Sequence, residues 1–228
     1  MLWDLDYTLV NARGLGSRLY EVVFREMFGR ELPAVAPKAG RTDRAIIADT
    51  LALAGIPADR EQVDRFIAAL TRLVAAPGGL PESIQVDVTA LDGASAAVQA
   101  LAQPGIYQSV LTGNIRPAAA LKLELAGLGG LLDLDAGAYG DVHEARAELV
   151  AVARDAAARA YGGSFAGPAT VLVGDTPLDV EAALATGARV VGVATGSFTA
   201  AELAAAGAPV VLPDLTDTAR VRAAVTGS

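Results

Sequence analysis

No cysteine occurs in the 228-residue chain, which excludes disulfides, thiolate nucleophiles and Cys-ligated zinc or iron–sulfur centres together. Histidine is nearly as scarce. His143 stands alone, so a multi-histidine metal centre is excluded and a Ser-His-Asp relay would have to run through that one residue. Basic residues are outnumbered, 18 against 26 acidic ones, for a net charge of −8. A surface of that sign repels nucleic-acid phosphates and anionic lipid, so neither nucleic acid nor membrane is an expected partner. Long hydrophobic runs are missing as well. Ile106–Leu111 and Arg189–Ala194 are strand-length, well short of the ~20 residues a membrane helix needs. Nothing resembling a signal peptide precedes Asp4, and the expected location is cytoplasmic. What remains for chemistry is carboxylates, hydroxyls, a few cations and backbone amides.

Apolar residues make up 53% of the chain, enough for a substantial core. After a first apolar run at Met1–Leu5, helical spacing appears in Arg18–Phe28, from a cap at Thr42 or Asp43 to Gly55, from Asp59 to Gly78, and in Gly93–Gln103. The texture then changes to strand-like runs alternating with Ala-rich helices. Strands are expected at Ile106–Thr112, Leu131–Gly137, Thr170–Gly174, Arg189–Ala194 and Pro209–Leu212, with helices at Ala118–Gly127, Ala145–Tyr161, Asp179–Gly187 and Ala200–Gly207. Short links between strand and helix imply right-handed crossovers between parallel strands. The expected architecture is α/β, a three-layer doubly wound parallel sheet. Residues 1–13 and 88–228 form its core, and an all-helical cap is inserted over residues 14–87.

In such a sheet, ligands bind beyond the carboxyl ends of the strands. Asp4 closes the first strand and Asp6 lies in the opening loop, which alone would read as a solvated turn. Asp175 closes the strand Thr170–Gly174, and Asp179 follows four residues later, where it also suits a helix cap. Carboxylates converging on one crevice repel unless a cation lies between them, and hard oxygen donors point to Mg²⁺. Thr112-Gly113-Asn114 ends a third strand, where a hydroxyl and backbone N–H groups can meet an anionic oxygen.

Taken together, Asp4-x-Asp6-x-Thr8, Thr112-Gly113-Asn114 and Gly174-Asp175-x-x-x-Asp179 resemble the motifs of the haloacid dehalogenase-like hydrolase superfamily. The likeness is narrower still to its phosphoglycolate-phosphatase-like branch with a helical cap, and Val171–Val193 is its most specific stretch. The resemblance implies a phosphomonoester hydrolase acting on a small phosphorylated metabolite, or a phosphomutase. It gives Asp4 as nucleophile, Asp6 as general acid/base, and Thr112 as a hydrogen-bond donor to the phosphoryl group. It also implies Mg²⁺ held by Asp4, the Asp6 carbonyl and Asp175, with Asp179 as ligand or behind one. Thr8, Gly113 and Asn114 would line the substrate. Asp6 must carry a proton, so its pKa is expected to be raised relative to the metal-bound acids.

The family also places a cation beside the phosphoryl oxygens. Lys122 lies roughly 12 Å down a helix from Asn114 at 1.5 Å per residue, so Arg146 is the preferred candidate. In the cap segment Gly40-Arg41-Thr42-Asp43, Arg41 and Thr42 are expected to face substrate, Arg41 pairing with a second anionic group. His143 reads as a site-edge loop residue, since the carboxylate chemistry is complete without it. Tyr7 departs from the family by standing where glycine is usual, and Met1 starts the first strand abruptly. Two relatives within the superfamily fit less well. A haloacid dehalogenase has no use for Asp6 or Asp175. A phosphonatase needs a cap lysine, and none stands out; Lys38 and Lys122 are the only lysines. From a different class, a phospho-acceptor module without turnover would need no second acid at position 6. Physiological substrate and oligomeric state are not encoded legibly.

Overall fold

The computed structural model describes residues 1–227. The strands are β1 (Leu2–Trp3), β2 (Val10–Asn11), β3 (Thr89–Ala90), β4 (Ser109–Val110), β5 (Val171–Gly174), β6 (Arg189–Val193) and β7 (Val210–Leu212). Five of them form a parallel sheet in the order β4-β1-β5-β6-β7. Trp3 pairs with Val110 on one side and Val173 on the other, and Val173 in turn pairs with Val191. The chain builds to opposite sides of β1, so the topological switch point, where such sheets open a crevice, lies at the carboxyl end of β1.

Both faces of this sheet are covered, and the alternation of side chains shows it. Trp3, Val110, Val171, Val173, Val191 and Val193 belong to one apolar cluster, with α4 (Ala94–Ala100), α5 (Arg116–Leu125) and α9 (Thr218–Thr226). Leu2, Leu111, Leu172 and Val190 point the other way, onto α6 (Arg146–Tyr161), α7 (Pro177–Ala185) and α8 (Ala200–Ala205). Full burial of each Val or Leu contributes about 1.5–3 kcal/mol, so two-residue strands hold because their neighbours seal them. Trp3 is fully buried, and its indole N–H donates to Gln108 Oε1 at 3.0 Å, which satisfies the one polar atom it brings inside.

Between β2 and β3, which pair antiparallel as a short stem, lie α1 (Leu15–Phe28), α2 (Asp43–Leu53) and α3 (Arg60–Val74). Leu15, Leu19, Val23 and Phe24 make the buried stripe of α1, and Tyr20 meets Phe66 of α3 edge-on at 5.5 Å. Asp59 caps α3 by accepting from Gln62 N at 2.9 Å. Of the two candidates for capping α2 it is Thr42 that does so, accepting from Ala45 N.

The expected strand over Leu131–Gly137 is not one. Asp133 Oδ1 accepts from Asp135 N and Ala136 N, which winds Leu134–Ala136 into a 3₁₀ turn. Only an isolated bridge, Leu111 to Ala138, reaches the edge of β4. Helix α9 and the β2–β3 stem carry patterns too short to be read in advance: α9 buries only Val221 and Val225, and each stem strand has two residues. No described helix is long and apolar enough to cross a membrane.

Candidate active site

Asp4 follows β1 directly and continues its ladder, its N–H donating to Val173 O at 2.8 Å. The same register puts Asp175 just past β5, and Asp179 enters from the first turn of α7. Carboxylate oxygens of Asp4, Asp175 and Asp179 all lie within 4.8 Å of one another, and the three side chains are buried. Thr8 Oγ1 sits between two of them, 3.5 Å from Asp4 Oδ2 and 3.3 Å from Asp175 Oδ1.

Crowding and burial make these acids poor anions by themselves. Burial, with Asp179 and Asp6 nearby, pushes Asp4 up to about 7 although Arg146 opposes the shift. Burial, then Asp4 and Asp179, pushes Asp175 up to about 9. A divalent cation among the three would reverse that, and an all-oxygen donor set suits Mg²⁺, with ligand distances of about 2.0–2.1 Å. The residues therefore fit the ion that the sequence pattern implies.

Asp179 has a second task. Its Oδ2 accepts from Thr176 N and Thr176 Oγ1, at 3.1 and 2.6 Å, closing a capping box on α7 that fixes the carboxylate. Its Oδ1 accepts from Arg146 Nη2 at 2.6 Å, and the same nitrogen donates to Asp4 Oδ1 at 2.5 Å and to Leu111 O at 3.1 Å. Burial works against this guanidinium's charge, but Asp179 and Asp4 outweigh it and hold the pKa above the ordinary arginine value. Arg146 thus braces the nucleophile candidate from behind.

Lys122 stands elsewhere than its position along α5 suggests. Its long side chain runs back along the helix and delivers Nζ to both carboxylate oxygens of Asp6 and to Asn114 Oδ1, each at 2.7 Å. Rise along the axis alone omits the reach of a lysine stem. The expected raised pKa of Asp6 is corrected at the same point. Burial raises it, but the Lys122 charge, its hydrogen bonds and the Asn114 amide prevail, and Asp6 is lowered while Asp4 and Asp175 rise.

Asn114 links Asp6 to Thr112, its Nδ2 donating to Asp6 Oδ2 and to Thr112 Oγ1. Gly113 is needed for close approach: a Cβ there would lie 1.9 Å from Arg41 O, and one on Gly140 would lie 1.8 Å from Gly113 O. Through this gap Asp43 N donates to Gly113 O and Arg44 N to Gly140 O. The buried Asp43 carboxylate accepts from Tyr20 OH at 2.6 Å and Ile115 N at 2.7 Å. Thr42 Oγ1 donates to Glu144 O, so Thr42 ties the helical insertion to the sheet domain. Arg41 lines the cleft, but its guanidinium is folded onto Asp49, Ala45 O and Pro37 O. His143 is exposed in its loop and does not line the cleft.

Tyr7 takes a left-handed conformation, φ 60°, which accounts for the family's glycine there and costs about 1–2 kcal/mol for a side chain. Its ring is half-exposed on the cleft wall, and its carbonyl accepts from Thr195 Oγ1. The cleft between sheet and cap has a volume of about 320 Å³, the size of a small-molecule site. Lys38, passed over in the sequence, also lines it. The signal available was only that it stands two residues before Gly40-Arg41 in the cap segment.

Solved structures with the same fold include a hydrolase from Pseudomonas syringae, 20% identical, covering 96% of this chain and 95% of that one with a TM-score of 0.66. A protein described as a predicted phosphatase from Clostridium acetobutylicum is 18% identical, with 97% and 96% covered and a TM-score of 0.66. A HAD family hydrolase from Deinococcus radiodurans R1, with bound phosphate and sodium, is 26% identical, with 99% and 94% covered and a TM-score of 0.52. No curated protein matches the chain. The family model for haloacid dehalogenase-like hydrolases matches residues 1–184.

Proposed function

Since the chain belongs to the haloacid dehalogenase-like hydrolase family, we propose that it is a Mg²⁺-dependent phosphomonoester hydrolase that works on a small phosphorylated metabolite through an aspartyl-phosphate. The observation that carries this reading is the convergence of Asp4, Asp175 and Asp179 oxygens within 4.8 Å, beside a cleft lined by Asp4, Asp175, Asp6 and Lys122.

In this reading an Asp4 carboxylate oxygen attacks phosphorus and forms the new O–P bond, while the bond to the substrate's alcohol oxygen breaks. Asp6 gives its proton to that departing oxygen. Water then attacks the same phosphorus, Asp6 takes a proton from it, and Asp4 leaves as carboxylate with release of phosphate. Bound Mg²⁺, held by Asp4, Asp175, Asp179 and the Asp6 carbonyl, would supply positive charge that lets one anion approach another.

The remaining work falls to the chain itself. Arg146 holds Asp4 in one orientation through Oδ1. Thr112, Gly113 and Asn114 line the cleft and would meet the phosphoryl oxygens, Thr8 is fully buried between Asp4 and Asp175 and would steady both carboxylates, and Lys122 is the cation closest to Asp6. A bound phosphoryl dianion competes for the Lys122 ammonium and for Asn114, which raises the proton affinity of Asp6 when a proton is required. Arg146 and Lys122 therefore divide the family's cation role, one serving the nucleophile and the other the acid/base.

The test is hydrolysis of p-nitrophenyl phosphate and of a panel of phosphorylated metabolites, with Mg²⁺ and with EDTA. Turnover is expected with the metal, lost in EDTA and lost in Asp4→Asn. Turnover that persists in EDTA, or an inert wild-type protein across the whole panel, would refute the proposal.

A further inference from the structure

Four cationic side chains line the cleft, and three are neutralised on the spot. Arg13 pairs with Asp87 at 3.4 Å, Arg41 with Asp49 at 2.6 Å, and Lys122 with Asp6 at 2.7 Å. Lys38 has no carboxylate partner among the described residues. Its ammonium donates to Ser17 Oγ at 2.5 Å, a neutral acceptor, while Asp6, Asp43 and Glu21 act on it only from beyond ion-pair distance, so its other N–H groups are free for a ligand. The segment that carries it is firmly seated. Gly40, φ 69°, packs so closely on the start of α7 that a Cβ would lie 2.5 Å from Thr176 Oγ1, beside Asp175. Arg146 Nη1 also donates to Gly40 O, at 3.4 Å. Lys38 therefore lies on the cap-side wall of the same cleft that Asp4, Asp6 and Asp175 line. On the same wall α1 begins at Gly14–Leu15–Gly16 with no side chain capping it, which adds to the positive potential.

We infer that Lys38, with Ser17 as its support, is a subsite for a second anionic group, so that the preferred substrate is a small phosphate monoester bearing a further carboxylate or phosphate. The inference rests on the phosphatase reading above. It moves the second-anion contact from Arg41, whose guanidinium is already engaged, to the lysine that is not. Asp6 and Lys122 handle the phosphoryl end; Lys38 reads what lies beyond it.

Four small phosphate monoesters separate the possibilities: 2-phosphoglycolate, 1,3-propanediol bisphosphate, ethyl phosphate, which has no second charged group, and 2-aminoethyl phosphate, whose second group is cationic. In the wild type, kcat/KM for one of the first two should exceed that for ethyl phosphate, with 2-aminoethyl phosphate poorest. Whichever leads identifies the anion as carboxylate or phosphate. In Lys38→Gln the ratio of the leading probe to ethyl phosphate should fall about 10- to 100-fold, as expected for one lost charge-assisted hydrogen bond, chiefly through KM. Lys38→Arg should restore most of it. A wild-type ratio near one, a ratio unmoved in Lys38→Gln, or a collapse in Arg41→Gln instead would overturn the subsite while leaving the phosphatase reading intact. Failure of the wild type to hydrolyse all four and p-nitrophenyl phosphate too would bring down both.

Discussion

Replacing Arg146 with methionine removes the buried cation that braces the site. The side chain is 5% exposed and donates to Asp4 Oδ1, Asp179 Oδ1, Leu111 O and Gly40 O. Methionine fills much of the same volume and satisfies none of these oxygens. Removing one partner of a buried ion pair costs about 3–5 kcal/mol, and here two carboxylates lose the same partner. For a chain of this length 1 kcal/mol corresponds to about 2–4 °C, so Tm at pH 8 in EDTA should fall by about 10 °C. The loss must also depend on pH. Carboxylates raised in the fold contribute stability that is complete below their unfolded value of 3.8 and is lost as pH rises through their folded values, about 7 for Asp4 and about 9 for Asp175. Without Arg146 these values rise further, so at pH 5 the acids enter the fold protonated and the deficit should shrink to about half. Thermal melts of both proteins in EDTA at the two pH values measure this directly. A variant within about 2 °C of wild type at pH 8, or an equal deficit at both pH values, would show that Arg146 does not compensate the acid cluster.

Two further outcomes follow from other parts of the site. In Lys122→Met, Asp6 loses the charge that lowers its pKa, so kcat/KM for p-nitrophenyl phosphate should drop and the alkaline limb of its pH profile, above which Asp6 has no proton to give, should move up by about 1–3 units; an unmoved limb would detach Lys122 from the acid/base. Gly140→Ala places a Cβ 1.8 Å from Gly113 O, an overpacking that should cost about 1–3 kcal/mol and be visible as a Tm several degrees lower, whereas a wild-type melt would mean that the seam yields.

Much of this architecture was legible because its signals repeat. The strand–helix alternation after Ile106 predicts the parallel sheet, and one face of α1 announces itself at helical spacing. Asp4 and Asp175 were readable because a carboxylate at a strand's end has one place to go, and the structure brings their oxygens within 4.8 Å of each other. Features that depended on one side chain's reach were not. Lys122 returns to the site along its own helix, and Arg41 turns onto Asp49 instead of into the cleft. Leu131–Gly137 carries apolar residues enough for a strand, yet the local hydrogen bonds of Asp133 win over the ladder. The protonation of Asp6 departs from expectation for the same reason, since it is set by a neighbour 116 positions away.

The closure between helical insertion and sheet domain is sewn around Thr42–Arg44: Asp43 N to Gly113 O and Arg44 N to Gly140 O between peptide groups, Thr42 Oγ1 to Glu144 O, Arg44 Nε to Asp141 O and Ile115 N to the Asp43 carboxylate through side chains. None of these groups belongs to the wall formed by Lys38 and Ser17, so the seam keeps its fit whatever decorates that wall. Selectivity and seating are thereby uncoupled. The wall carrying Lys38 and Ser17 is free to be re-cut for another cargo without disturbing how the lid comes to rest on the chemistry below.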